Sequence, residues 1–188
     1  QGMCAGIRDV SNLAWKISHC LKNEHNDKLL NTYQSERSSN VKEYIETTMR
    51  MGEFVNAVGK SPITNNISAD SKGRKSMKSI KPRLGHGLGD LKDKFRGKIF
   101  PQFIIKKNKK LDEKFSLKPA LIISDEIKKN ISSKIKLIKS KNIKNLELFF
   151  KEHNCKAVIV RPDRFILSSC TSVKNFNSYL NKNLSLLA

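Results

Sequence analysis

The chain has 188 residues and a formal charge of +20, from 37 Lys and Arg against 17 Asp and Glu, with 38% hydrophobic and 7% aromatic residues. It is long enough for one domain, or a domain with an appendage, around a modest core. No apolar run approaches the roughly 20 residues that cross a bilayer, and no basic, apolar, small-residue leader opens the sequence, so a cytoplasmic protein without membrane contact is expected.

The positive charge is carried mainly by lysines between Lys60 and Lys144, mixed with Asn, Ile and Ser and not interleaved with aromatics. That pattern argues for nonspecific adhesion at low salt, not for a specific nucleic-acid groove. Cys4, Cys20, Cys155 and Cys170 make neither a CxxC pair nor a zinc knuckle. They are expected to be reduced. With His19, His25, His86 and His153 scattered as well, no metal site is expected.

In chain order, a first helix is predicted from about Gly2 to Lys22. Its Ile7, Val10, Leu13, Ala14, Ile17 and Leu21 recur at three- and four-residue spacing, which builds one face for burial. The first turn of a helix leaves amide hydrogens unpaired and carries partial positive charge. From spacing alone Gly2 and Gly6 read first as letting the chain bend into an ordinary buried helix; the alternative is that Gly2 lets an electron-rich group approach those amides without a side chain in the way. Asn23 to Asp27 form a polar link. A second helix then reaches about Ala57 and presents Leu29, Leu30, Tyr33, Arg37, Val41, Tyr44, Ile45 and Thr48 on one broad face, which gives a helical hairpin. Glu36 and Arg37 read as a surface ion pair worth under about 1 kcal/mol, or as a clamp to protein outside the chain.

From Gly59 to Lys81 the composition turns to Ser, Lys, Asn and Gly, too polar to bury a core of its own. Gly85-His86-Gly87-Leu88-Gly89 superficially resembles a dinucleotide fingerprint, but no strand precedes it and charged residues follow, so it reads as a turn. Phe100 and Phe103 are expected in the core. Strands are predicted at Ala120 to Ser124 and Ser133 to Ile138, and a helix over Asn142 to Asn154. An antiparallel hairpin of Lys156 to Arg161 and Phe165 to Ser168 should turn at Pro162-Asp163-Arg164, ahead of a closing helix from Val173 to Leu184. Arg161, Asp163 and Arg164 should hold that turn by local charge-assisted hydrogen bonds, with a dimer-interface role as the alternative.

Three stretches together resemble FAD-dependent aromatic hydroxylases of the 3-(3-hydroxyphenyl)propionate hydroxylase and phenol hydroxylase type. The first is Gln1-Gly2-Met3 with Gly6-Ile7-Arg8-Asp9 and Asn12-Leu13-Ala14-Trp15-Lys16, where Cys4 stands in place of the usual Asn. The second is Leu29-Leu30 followed by Tyr33 and Glu36-Arg37. The third is Val160-Arg161-Pro162-Asp163-Arg164-Phe165, with Gly97 to Gln102 at the entry to the last domain.

The resemblance implies an α/β chain, α+β in layout. Residues 1–58 would be the last helices of an FAD-binding domain, 59–97 a linker, and 98–188 a thioredoxin-like β-α-β-β-α domain without CxxC. It implies FAD as cofactor with NADH or NADPH as electron donor, and transfer of one oxygen atom from O2 to a phenolic ring. Gln1, Gly2, Met3 and Cys4 would bind the flavin. Catalytic residues, the dinucleotide fingerprint and most of the substrate pocket would lie upstream, so the chain is expected to be inactive alone. Flavin and a small aromatic substrate are the expected partners, with a homodimer possible. A non-catalytic interaction module and a basic nucleic-acid binder are the alternatives.

Overall fold

The computed structural model describes residues 2–22, 27–56, 67–69, 75–77, 80–106, 109–115, 118–128 and 135–186. Helices α1 (Gly2–Lys22) and α2 (Asp27–Asn56) form the expected hairpin. α2 is rich in straight-chain helix formers and carries exposed i,i+4 pairs of Glu46 with Lys42 and Arg50 at 3.9 and 3.8 Å.

The face that α1 buries is not the predicted one. Asn12, Trp15 and Lys16 are buried, whereas Ile7, Val10 and Leu21 are 60%, 67% and 80% exposed. Apolar periodicity reports that a helix has a face suited to burial, not what covers it. Here α2 takes the polar side, and the apolar stripe is left facing outward. On α2, Leu29 and Tyr44 are buried as expected, joined by Glu36, Arg37, Asn40 and Thr47, while Ile45 and Thr48 are exposed.

The polar stretch after α2 contains a short antiparallel ladder, β1 (Ile67–Ala69) with β2 (Lys75–Met77). In residues 80–97, expected within a linker, Leu84 and Arg96 are buried, Phe95 joins Phe149 in the core of the terminal half, and the Gly85 amide donates to the Glu36 carbonyl of α2 at 2.9 Å. Glycine makes this approach possible: a Cβ on Gly85 would sit 2.2 Å from the Ser35 carbonyl oxygen, and one on Gly87 2.3 Å from Glu36 Cγ.

Next come β3 (Ile104–Lys106), β4 (Lys109–Lys110), a 3-10 turn (Leu111–Lys114), β5 (Ala120–Ile123), β6 (Lys136–Lys139), α3 (Lys144–Glu152), β7 (Ala157–Val160), β8 (Ile166–Cys170) and α4 (Phe176–Ser185). The main sheet has the order β6-β5-β7-β8, with β5–β6 parallel and the other pairs antiparallel. Every residue of β5 and β7 is buried, which is why both read as continuous apolar runs.

Alternate residues feed two cores. Ile122, Val158 and Val160 join Phe100, Phe103, Leu146, Phe149 and Phe150 on one side, and Leu121, Ile123 and Ile159 join Leu167 and Phe176 on the other. The predicted strands, helices and hairpin of this half lie where the sequence placed them, with ends shifted by a few residues. The hairpin turn uses Arg164 at φ +70° and is flanked by 97–100, where Phe100 N–H donates to the Arg164 carbonyl and Gly97 N–H to that of Ile166. Ser133 and Lys134 of the predicted second strand, and 23–26 of the predicted polar link, lie outside the described residues.

Candidate flavin-facing helix and its buried ion cluster

Glu36 is the hub of the polar interior. Arg161 donates from Nη1 to Oε1 at 2.8 Å and from Nη2 to Oε2 at 2.9 Å, the two-pronged geometry that suits guanidinium to carboxylate. Lys16 Nζ lies 2.9 Å from Oε2, Arg96 Nη2 lies 3.9 Å from Oε1, and the Leu88 amide donates to Oε1 at 3.0 Å. Asp163 takes the other side of Arg161, at 3.1 Å from Nε and 2.6 Å from Nη2. The Asn12 amide Nδ2 donates to both carboxylates, at 3.2 Å to Glu36 and 2.9 Å to Asp163. The Arg161 guanidinium also lies 5.1 Å over the Trp15 ring.

Glu36 and Arg161 are therefore not arranged as the sequence suggested. Glu36 and Arg37 are both buried, and neither is a surface group. Glu36 reaches the hairpin, while Arg37 binds Asp9 of α1 at 2.6 Å and Asn40 at 2.6 Å, and Asn40 in turn donates to the carbonyls of Pro82 and Arg83. The predicted local bonds between Arg161 and Asp163 exist, but Arg161 has a second partner, Glu36, 125 positions away. Arg164 turns instead to Asp112 at 3.3 Å and stacks 3.9 Å from the Phe115 ring.

Burial resists charge throughout this cluster. For Glu36 that resistance is overcome by the Arg161 charge and hydrogen bonds, then by Lys16, so its carboxyl is held at about 2. Burial likewise opposes the Arg161 charge, but Asp163 and Glu36 more than offset it and the guanidinium is held firmly protonated. For Lys16 burial prevails and lowers the ammonium, with Glu36 opposing and Arg161 adding to the fall. Three cations surround two carboxylates, and each carboxylate is saturated with donors. Such a cluster fixes geometry; it holds no accessible base or nucleophile.

The predicted cofactor-binding residues stand at the start of α1. Gln1 lies outside the described residues, and Gly2, Met3 and Cys4 form the exposed first turn. A Cβ on Gly2 would meet nothing within 4 Å, and no acidic side chain occupies that turn. Among the described residues, the first turn of this 21-residue helix is exposed and holds no acidic side chain, and its amide end carries the partial positive charge of a helix start. Gly85 to Gly89 is a turn clasping α2, with Gly89 at φ +89°, and precedes no helix. Cys4, Cys20, Cys155 and Cys170 carry no disulfide, and burial pushes the Cys155 thiol up to about 11, away from redox reactivity. Among the described residues no three His, Cys, Asp or Glu gather as a metal site, and no helix is long and apolar enough to cross a membrane.

Residues 1–48 match the FAD binding domain family. The chain is 35% identical over 109 residues to a probable NADH-specific resorcinol 4-hydroxylase of Rhodococcus jostii (strain RHA1), covering 56% of this chain and 20% of that protein. It is 40% identical over 55 residues to the 3-(3-hydroxy-phenyl)propionate/3-hydroxycinnamic acid hydroxylase of Escherichia coli, covering 29% of this chain and 10% of that protein. It thus spans a tenth to a fifth of the length of these curated relatives. In fold it is similar to the flavin-dependent monooxygenase PieE, solved with FAD and substrate (TM-score 0.58, 11% identity, 97% of this chain and 44% of that one). It is similar also to aklavinone-11 hydroxylase, solved with FAD and aklavinone (TM-score 0.51, 15% identity, 96% and 40%).

An α/β layout, with an opening helical hairpin that falls in the FAD binding domain match and a separate mixed sheet, is the fold this chain shares with those solved structures. The chain is thus similar over residues 1–48 to the FAD binding domain family, and in sequence to part of two hydroxylases.

Proposed function

We propose that the chain is the C-terminal portion of an FAD-dependent monooxygenase that hydroxylates a phenolic or other aromatic substrate, with NADH or NADPH as electron donor. The observation that carries this reading is the coincidence of the FAD binding domain match with an open helix start at Gly2, Met3 and Cys4. FAD, when bound, supplies the oxygen-transfer chemistry. The chain's own contribution is electrostatic. The first-turn amides of Gly2, Met3 and Cys4 would help hold the flavin, and the positive end of the helix would favour negative charge placed beside it.

The outward apolar stripe supports the same reading. Ile7, Val10, Ile17 and Leu21 lie on one side of α1 and are exposed among the described residues, as fits a helix whose other side packs on the remainder of an FAD-binding domain. We assign residues 1–58 to that domain, 59–97 to the connection that clasps α2, and 98–188 to a terminal domain. The β6-β5-β7-β8 order, with one parallel and two antiparallel pairs, supports a thioredoxin-like description of the last, without CxxC. Both curated relatives are named as hydroxylases of phenolic compounds, which supports the substrate class.

The test is reconstitution of the complete polypeptide with FAD, followed by NADH and NADPH oxidation with and without a panel of phenols. Retained flavin and phenol-stimulated oxygen uptake with a hydroxylated product are expected. A complete polypeptide that retains no flavin would contradict the reading. The 188-residue chain alone is expected to bind FAD weakly or not at all, and tight stoichiometric binding by calorimetry would show that the upstream contacts are not needed.

A further inference from the structure

The ion cluster joins three parts of the chain that the sequence separates widely: α1 through Asn12 and Lys16, α2 through Glu36, and the β7–β8 hairpin through Arg161 and Asp163. Asn12 and Lys16 are one turn apart on α1, and both are fully buried against the same carboxylate. Apolar contacts are non-directional and leave a helix free to slide or roll. Charge-assisted hydrogen bonds to two side chains one turn apart allow neither. From Asn12 the helix runs about 15 Å to Gly2 as a rigid rod, at about 1.5 Å per residue. A displacement at the cluster is therefore delivered to the first turn.

We infer that Arg161, in the terminal domain, is a positioning residue for the first turn of α1: by gripping Glu36 and Asp163 it sets the roll and axial register of the helix end that faces the flavin. This rests on the functional reading for the word flavin, but the coupling from Arg161 to α1 stands on the geometry alone. The terminal domain would then take part in the oxygenase by holding the cofactor-facing helix from behind. It needs no redox group for this, and buried charge is kept for registry, its best-attested use.

The test has two arms. In the first, amide hydrogen exchange is followed on the 188-residue chain for Arg161→Lys, which keeps the charge and loses the fork, and for Lys16→Met, which removes one of the two α1 side chains held by Glu36 and leaves Arg161 and Glu36 paired. Exchange across Gly2–Lys22 should quicken about tenfold or more in both, with β5 and β7 still protected. In the second, the same changes in the FAD-loaded complete polypeptide should shift the flavin absorption spectrum and midpoint potential and weaken FAD binding about tenfold.

Unchanged exchange in α1 overturns the positioning role while leaving the flavin reading intact. Quickened exchange with an unaltered flavin spectrum, potential and affinity also overturns it, and in that case the placement of the flavin at Gly2 falls too. Full rescue of both readouts by Lys at position 161 contradicts the claim that the fork, and not the charge, does the positioning.

Discussion

Glu36 and Arg161 are 125 positions apart, yet both guanidinium prongs of Arg161 meet both carboxylate oxygens of Glu36, at 2.8 and 2.9 Å, where neither side chain is reached by solvent. This pair welds the helical hairpin to the terminal domain. Replacing Arg161 by Met leaves Glu36 and Asp163 buried with too little compensation, a kind of loss that costs about 3–5 kcal/mol. Against a typical total of about 5–15 kcal/mol, that is a large share. Urea unfolding of the 188-residue chain should show it, and the double change Glu36→Gln with Arg161→Met should recover part of the loss. A single change within about 0.5 kcal/mol of wild type, the range of an ordinary surface substitution, would show the pair to be idle.

Acid should weaken the molecule through the same carboxylate. The Glu36 carboxyl sits at about 2 in the folded chain against 4.5 in the unfolded reference. A depressed carboxylate contributes stability that is fully present above pH 4.5 and is lost as the pH falls toward 2. A shift of that size corresponds to about 3 kcal/mol. Urea midpoints measured from about pH 6 downward should fall steeply below 4.5, and Glu36→Gln should flatten that part of the curve. Parallel profiles for the two proteins would contradict the assignment.

The opening helix and the last hairpin could be located from sequence because their signals are local: apolar spacing for α1, and two β-rich runs around Pro162-Asp163-Arg164. The partner of Glu36 was not legible, since nothing in the spacing of Glu36 or Arg161 encodes a meeting across 125 positions. The polar face that α1 buries within this chain was not legible for a related reason. Ile7, Val10 and Leu21 announce an apolar face, but Asn12 and Lys16, which look like solvated residues, become interior ones only once Glu36, Arg161 and Asp163 are assembled around them. A sequence signal for the cluster did exist in Gly85 and Gly87, whose missing side chains let the 85–89 turn press onto α2.

Gly87 supplies a direct check on that packing. A Cβ there would lie 2.3 Å from Glu36 Cγ and 2.5 Å from its Oε1, so Gly87→Ala must displace the carboxylate or the turn. Overpacking of this kind costs about 1–3 kcal/mol. The same change at Gly6, where an added Cβ meets nothing within 4 Å, should leave thermal stability unchanged or slightly raised. Equal melting temperatures for Gly87→Ala and wild type would contradict the close approach.

The outward stripe of α1 predicts opposite results in two settings. In the 188-residue chain, Val10→Lys should reduce self-association in light scattering at little cost in stability, because Val10 is exposed. In the complete polypeptide the same lysine should lower both stability and flavin content, since it would be forced into a packed face. Tolerance in both settings would mean that nothing covers the stripe.

The central claim is that the first turn of α1 faces the flavin, and a crystal structure of the FAD-loaded complete polypeptide tests it most directly. The account predicts that the isoalloxazine lies within hydrogen-bond reach of the amides of Gly2 to Cys4, about 3 Å away. An isoalloxazine bound well away from that turn would contradict it.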